Sequence, residues 1–401
     1  MKTALVVFFD PKERPDFEYL NKISQVFYSG GIQIDKVEML SITDDLGFKR
    51  RLTELKDVYD LLVIGDGENV KIDVKDIVCQ VFDTELMENQ NAKKFLDAVK
   101  TASGVDYSDS YAVIPLSSTV IPNIEGPYQG FMIDDDNITL AVISTEYQQF
   151  STACGKYVIP YIENKYNVKS KRQLLKFIGD KNQLNKTLKQ AEQLFGSDFK
   201  VTVIDNNGDC TIDLLFKGNA IKESSNVVRF LVGELKDDIY AEFDTTPDSR
   251  LFDLLKLKKL KLSVAESFTG GRIASSMIRN SGVSEFFHEG IVSYSNKSKI
   301  DRLGVDKEDL ARSGAVSSIV AYQMCAGLLR KGDCDIAVAT TGIAGPKSDN
   351  TSKPVGLCFI AVGMKDGVHT YKYNFTGTRE QITEQAKNVA LGLVIKKLKK
   401  I

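Results

Sequence analysis

Tryptophan is absent from the 401 residues, and histidine occurs only twice, as His288 and His369. Two histidines so far apart leave little material for a histidine-built metal centre or a Ser-His-Asp triad. Six cysteines are scattered as Cys79, Cys154, Cys210, Cys325, Cys334 and Cys358, with no CxxC pair. Their mostly apolar surroundings point to buried free thiols in a reducing compartment. No apolar run approaches the length of a membrane span, and the chain opens on a strand-like run, Thr3 to Phe9, without a basic leader and apolar core. A cytoplasmic protein with no membrane partner is expected. Charge of one sign is not in excess either: 52 Lys and Arg face 54 Asp and Glu, a formal net charge of −2. Bulk electrostatics therefore supply no reason to expect nucleic acid or an anionic membrane. The basic end (Lys396, Lys397, Lys399, Lys400) reads as a solvated helix end that suits the helix dipole.

What is present is ordinary globular material, 43% hydrophobic and 26% charged, long enough for two or three domains. Residues 1 to about 160 alternate strand and helix. Ala4 to Phe9 is a short apolar run, Phe17 to Ser29 has helical spacing and ends at Gly30-Gly31, and Ile32 to Met39 reads as a strand. Lys49 to Lys56 reads as a helix, Asp60 to Ile64 as a buried strand ending at Gly65-Asp66-Gly67, and Thr139 to Ser144 as another strand. This βαβ rhythm predicts an α/β fold with a parallel, doubly wound sheet. Residues 165–245 read as a small α+β module. It has helices at Lys171 to Ile178, Gln183 to Leu194 and Ser225 to Leu235. Its strands are Lys200 to Asp205 and Thr211 to Phe216 about an Asn206-Asn207-Gly208 turn, and Ile239 to Phe243. Lysine is frequent there, but acidic residues are interleaved, so solvated faces are expected in place of a nucleic-acid surface.

Thr245-Thr246-Pro247-Asp248-Ser249 reads as a linker. Residues 250–401 form a third α/β unit. Its strands are Leu260 to Val264, Gly290 to Tyr294, Asp335 to Ala339, Gly356 to Val362 and His369 to Phe375. Its helices are Arg250 to Leu257, Arg272 to Arg279, Ser318 to Lys331 and Glu380 to Lys399. The last carries an apolar stripe (Ile382, Ala386, Val389, Ala390, Leu393, Val394) that faces a core or a partner.

Four polar segments of this last third fall at strand ends or helix starts. Glu266-Ser267-Phe268-Thr269-Gly270-Gly271 joins a strand to a helix, with Thr269 a candidate helix cap. Tyr294-Ser295-Asn296-Lys297-Ser298-Lys299 follows a strand, as does Thr341-Gly342-Ile343-Ala344-Gly345-Pro346. Thr376-Gly377-Thr378-Arg379 opens the final helix, where Thr378 and Gln381 fit a capping box. If these ends meet on one rim, a serine hydroxyl lies near a lysine, glycine-rich backbone and a helix-terminal arginine. That set suits attack on a carbonyl-type carbon with lysine as the base. Backbone amides near Gly270 or Gly342 could bind the oxyanion, and Arg379 a phosphate. Each segment also has a plain reading as surface lysine, loop or surface arginine.

Residues from about 255 to 399 closely resemble the C-terminal domain of the competence/damage-inducible protein A (CinA) family. The resemblance rests on Ala265-Glu266-Ser267 with Thr269-Gly270-Gly271, Tyr294-Ser295-Asn296 with Lys299, and Gly314-Ala315-Val316-Ser317. It rests further on Thr341-Gly342-Ile343-Ala344-Gly345-Pro346 and Lys353-Pro354-Val355-Gly356. It implies hydrolysis of the carboxamide of nicotinamide mononucleotide, releasing ammonia, with no cofactor. By that analogy Ser267 is the nucleophile and Lys299 its base. Tyr294 and Thr341 position the substrate, Arg379 binds its phosphate, and Thr269, Gly270, Gly271, Asn296 and Gly342 contribute to substrate binding. Two departures stand out. Phe268 replaces the family's usual cysteine, and Lys347-Ser348-Asp349-Asn350-Thr351 replaces a glycine-rich run.

The first two-thirds resembles the family in layout: a molybdopterin-binding-like domain (1–160), then a KH-like module (165–245) ahead of the deamidase domain (250–401). Ile121-Pro122-Asn123 with Gly126 echoes the first domain, which in the family is a metal-dependent ADP-ribose pyrophosphatase. Its site signatures do not survive. Phe8-Phe9-Asp10-Pro11 stands for a glycine-threonine-glutamate turn. Ile64-Gly65-Asp66-Gly67-Glu68-Asn69 stands for a glycine-rich segment ending in paired aspartates, and Ser144-Thr145-Glu146-Tyr147 for a proline-glycine turn before a glutamate. Loss of the pyrophosphatase is expected, and a divalent metal would enter only if that domain were active. No GxxG clamp occurs in the KH-like stretch. The resemblance also suggests a homodimer or larger assembly. Competing readings are a non-catalytic nucleotide-binding scaffold and a bifunctional enzyme.

Overall fold

The computed structural model describes residues 1–10, 12, 17–67, 70–135, 137–167, 169–196, 198–346 and 352–400. Pro11, Glu68, Asn69 and the 347–351 loop singled out above lie outside the described residues. The chain divides into two compact units, one of residues 1–172 with 217–221, the other of 173–216 with 222–401.

The first unit runs β1 (Thr3–Phe9), α1 (Phe17–Ser29), β2 (Lys36–Ser41), α2 (Asp45–Lys56), β3 (Leu61–Asp66), α3 (Val74–Phe82) and β4 (Leu86–Glu88). It continues with α4 (Gln90–Ser103), β5 (Val113–Pro115), β6 (Ser118–Ile121), β7 (Gly130–Asp135), β8 (Ile138–Ser144), α5 (Tyr147–Ala153) and α6 (Ile159–Lys165). Its main sheet has the order β2-β1-β3-β8-β7-β6. The expected parallel, doubly wound pattern holds for four strands, since β1 pairs parallel with β2 and β3, and β3 with β8. It gives way at one edge, where β7 runs antiparallel to β8 and β6 to β7. Asp135 and Ile138 are too close in sequence for the crossover that a parallel pair needs. Ala4, Val6, Leu62, Ile64, Leu140 and Val142 fill one face. Leu5, Val7, Leu61, Val63, Ala141 and Ile143 fill the other. Both faces being covered explains why these strands read as unbroken apolar runs.

The second unit takes up the chain within β9 (Ser170–Phe177) and holds α7 (Lys181–Phe195), β10 (Phe199–Asn206), β11 (Asp209–Lys217) but for its last residue, α8 (Ser224–Leu235) and β12 (Ile239–Ala241). These strands form a sheet of order β10-β11-β9-β12. Of the segment 171–178, expected to be helical, all but Ile178 belongs to the strand β9. Leu175 and Phe177 alternate into the core and are fully buried, and Phe177 pairs with Ile239 across an antiparallel ladder. Pairing with residues sixty positions away overrides a weak local preference.

The same unit continues through α9 (Pro247–Lys258), β13 (Leu262–Glu266), α10 (Arg272–Ile278), β14 (Phe287–Val292), α11 (Asn296–Leu303), α12 (Lys307–Ser313) and α13 (Ser318–Arg330). It ends with β15 (Ile336–Gly342), β16 (Leu357–Met364), β17 (Gly367–Asn374) and α14 (Arg379–Leu398). The expected linker at 245–249 is in part a helix start. Thr246 caps α9 by accepting the Ser249 N–H, and Pro247 occupies its first position, where a missing N–H costs nothing. The sheet order is β14-β13-β15-β16-β17, parallel through the first three strands and antiparallel beyond. On one face pack Leu251 and Leu255 of α9, Ile273 and Met277 of α10, and Ile382, Ala386, Ala390 and Val394 of α14. The stripe on the last helix is therefore core. The other face takes Leu303, Leu310, and Val320, Met324 and Leu328 of α13. The C-terminal ends of β13, β14 and β15 lie side by side, which is where an open α/β sheet builds a site.

Candidate active site

Glu266 ends β13, and the next residue, Ser267, begins a tight turn. Its N–H donates to the Thr340 carbonyl at 3.1 Å, and the Gly270 N–H returns to the Ser267 carbonyl at 3.2 Å. Gly270 and Gly271 have φ of 61° and 94°, a region that favours glycine. Thr269 does not cap α10. Its hydroxyl is hydrogen-bonded to that of Thr340 at 2.7 Å, beneath the turn. The cap comes from Glu266, whose carboxylate accepts the N–H groups of Gly271 at 3.0 Å, Ile273 at 3.2 Å and Ala274 at 2.9 Å. The Gly270 amide, considered above with those near Gly342 for an oxyanion, and the adjacent Gly271 amide thus already have acceptors.

Helix α11 supplies the lysine. Ser295 is its N-cap, accepting the Ser298 N–H. Lys297 points outward to Asp301. Lys299, two residues and about 200° further round the helix, points inward and is 1% exposed. Its Nζ donates to Ser267 Oγ at 3.0 Å, to the Ser293 carbonyl at 2.6 Å and to the Tyr294 carbonyl at 3.3 Å. Burial away from any carboxylate pulls its amine down to about 8, because desolvation penalises the charged form.

Ser267, Tyr294, Lys299, Thr341, Gly342 and Arg379 line one cavity of about 280 Å³. Thr341 Oγ1 donates to the Ala315 carbonyl at 2.7 Å. Gly342 must lack a side chain: a Cβ there would lie 2.6 Å from Cys358 Cβ and 3.0 Å from the Phe268 ring. Arg379 follows the capping box of Thr378 and Gln381 on α14. Its guanidinium donates to the Gly345 carbonyl at 2.7 Å and to the Tyr294 hydroxyl at 3.4 Å. Thr269, Gly270 and Gly271 line a neighbouring cavity of about 630 Å³ that shares Phe268 and Arg379 with the first. Asn296, the first residue of α11 and exposed, lines neither.

Sequence reasoning gave no role to three features that shape this site. Phe268 is buried and walls both cavities. Lys353 Nζ donates to the carbonyls of Ser313 at 2.8 Å and Val316 at 2.6 Å, which fixes the segment carrying Ala315 and Val316 against the cavity. Glu266 is the third. All three stood in motifs already noted, but only the fold reveals what their side chains touch.

In the first unit, Asp66 at the end of β3 is buried. It accepts hydrogen bonds from the Tyr128 hydroxyl and the Gly67 N–H, and burial raises its carboxyl to about 6. Among the described residues no group of three or more His, Cys, Asp or Glu side chains is arranged around a common point. The described donors at this strand end, one buried carboxyl already bonded to Tyr128 and Gly67, do not fit a divalent metal, which prefers several ionised oxygens. Among the described residues no helix is long and apolar enough to cross a membrane.

A family model described as the CinA C-terminal domain matches residues 244–398. A protein of Caldicellulosiruptor saccharolyticus named as competence-damage inducible is 30% identical over 380 residues, 90% of this chain and 88% of that protein. Its namesake in Clostridium beijerinckii is 31% identical over 329 residues, 80% of each. The crystal structure of a competence/damage-inducible protein from Agrobacterium tumefaciens is 35% identical. It covers 40% of this chain and 99% of that one, at a TM-score of 0.37. Because the likeness to the long relatives runs through nine-tenths of the sequence and does not stop at the domain that holds the serine and lysine, the whole chain belongs to the competence/damage-inducible (CinA) family.

Proposed function

We propose that the chain is an amidohydrolase that converts the carboxamide of nicotinamide mononucleotide to the carboxylate, with release of ammonia. One observation carries the chemistry: the partners of Lys299. Two of them, the carbonyls of Ser293 and Tyr294, can only accept. A neutral amine has two hydrogens and one lone pair. With both hydrogens held by carbonyls, the lone pair faces the third partner, Ser267 Oγ. Lys299 is therefore oriented to take the serine proton, and its amine, pulled down to about 8, is partly neutral near physiological pH.

In the proposed reaction Ser267 Oγ bonds to the carboxamide carbon as its proton passes to Lys299 Nζ. The backbone N–H of Phe268 has no acceptor among the described residues, and we assign it to the resulting oxyanion. The C–N bond then breaks, Lys299 returns the proton to nitrogen, and ammonia leaves. Water attacks the serine ester with Lys299 again taking the proton, which frees the carboxylate and restores the hydroxyl. Arg379 accounts for recognition of the phosphate. Its guanidinium is planar, always charged and set at the rim of both cavities, as suits a phosphate.

The choice of nicotinamide mononucleotide rests on the motifs shared with the family. The test is ammonia release from it by the full chain, with the carboxylate product identified by chromatography. Ammonia and carboxylate in equal amounts support the reading; nucleotide binding without turnover favours a binding protein. Arg379→Gln is expected to raise KM about ten- to a hundredfold, the scale of one charge-assisted contact, with a smaller change in kcat. An unchanged KM in steady-state kinetics would remove Arg379 from phosphate binding.

A further inference from the structure

The cap of α10 is unusual in its origin. A helix start is ordinarily satisfied by a short polar side chain at the capping position itself. Here that position is Gly271, which has none. The acceptor comes from five residues earlier, on the far side of the Ser267 turn. Glu266 is fully buried, and no cation is paired with it among the described residues. Burying a carboxylate without a counter-charge is costly unless hydrogen bonds compensate. The three amides of the first turn of α10, with the helix dipole behind them, do so.

This arrangement couples the helix to the turn. The bonds from Glu266 to Gly271, Ile273 and Ala274 close a ring around Ser267, Phe268, Thr269 and Gly270. The turn cannot open without breaking the cap. The backbone of Glu266 also reaches the other partner. Its carbonyl accepts the Ser293 N–H at 2.7 Å, and the Ser293 carbonyl accepts Lys299 Nζ at 2.6 Å. The anchors of the serine and of the lysine therefore meet at one residue.

Building on the amidohydrolase reading, we infer that Glu266 is the positioning residue of the serine–lysine pair, its carboxylate setting the Ser267 turn and its carbonyl the strand end that holds Lys299. Glu266 does not touch substrate. It keeps two reacting atoms at 3.0 Å, and small misplacements of such atoms have large effects on rate. A plain helix cap would affect stability alone. A positioning residue also governs how readily Ser267 reacts with any electrophile.

The test uses the full chain with Glu266→Gln and Glu266→Asp. Glutamine keeps the shape but turns an NH2 group toward one of the amides that now faces oxygen. Aspartate keeps both oxygens on a shorter arm. Thermal melting, equilibrium binding of nicotinamide mononucleotide, kcat for ammonia release and the rate of labelling by phenylmethanesulfonyl fluoride are measured. In the labelling step Ser267 Oγ bonds to sulfur, fluoride leaves and the proton passes to Lys299, so it reports on the pair without the substrate. Glu266→Gln is expected to melt cooperatively and to bind the nucleotide within about threefold of the parent. Its labelling rate and kcat should both fall at least about tenfold, with Glu266→Asp recovering part of the loss. A folded Gln variant that labels at the parental rate overturns the inference. So do a loss of binding as large as the loss of rate, failure of both variants to fold, and a parent that is not labelled. If the parent labels rapidly and the variant slowly while neither releases ammonia, the amidase reading fails and the positioning role stands.

Discussion

Ser267→Ala is expected to lower ammonia release from nicotinamide mononucleotide by at least about a hundredfold while nucleotide binding stays within a few-fold of the parent. The methyl group of alanine fits the same turn. Ser267 is buried, its N–H bond to Thr340 and its carbonyl bond to Gly270 are backbone contacts, and the Glu266 cap on α10 does not involve its side chain. The variant therefore removes one hydroxyl and leaves the fold in place. Without the nucleophile no ester forms, and only direct attack by water remains. Mass spectrometry gives a second reading, because parent protein mixed with substrate and quenched should carry an acyl adduct that the variant lacks. Near-parental turnover by Ser267→Ala would make Ser267 a binding hydroxyl and would require water, activated by Lys299, as the attacking group.

The rate of the parent enzyme should rise with pH and level off near pH 8. Lys299 works as a base only when neutral, and burial holds its amine at about 8. Below that value each unit of pH removes about nine-tenths of the neutral form, so kcat/KM should fall close to tenfold per unit. Lys299→Arg should remove this limb together with at least about a hundredfold of the rate, since a guanidinium stays charged throughout. A profile flat from pH 6 to 9, or one that falls as pH rises through 8, would exclude a lysine base. The same shift bears on stability. Unfolding returns the amine to its ordinary 10.5, so the unfolded chain binds more protons between about pH 8 and 10.5. The contribution of Lys299 to stability therefore rises with pH across that window and is least favourable below it. A buried lysine that weakens the fold at neutral pH is what a chain retains for reactivity.

Local rules read the start and end of many elements correctly. Continuous apolar runs marked β1, β3 and β8, the capping box opened α14, and helical spacing marked α1 and α13. The segment 171–178 misled because Leu174, Leu175, Phe177 and Ile178 satisfy a helical pattern as well as a strand pattern. Only the neighbouring strands β11 and β12, far along the chain, decide between them. The helices α3, α4, α5, α6, α11 and α12 went unread. α11 carries a low density of apolar residues, with Ile300 and Leu303 facing the core and lysines, an aspartate and an arginine elsewhere on it.

The sequence by itself determined the chemistry within reach: which residues carry a hydroxyl, an amine or a guanidinium, and that they stand at strand ends and helix starts, because those depend on neighbours a few residues apart. It also determined what is missing, namely the paired carboxylates and close-approach glycines of the first domain. The tertiary structure decided what each group does there. Ser267 and Lys299 are thirty-two residues apart, and their contact exists only because β13 and β14 lie parallel and adjacent. The depressed amine follows from burial, a property of the packed core and not of the hexapeptide that contains Lys299. The cap of α10 passed from Thr269 to Glu266 for the same reason: a turn closes on whichever side chain its three-dimensional path brings within hydrogen-bonding distance.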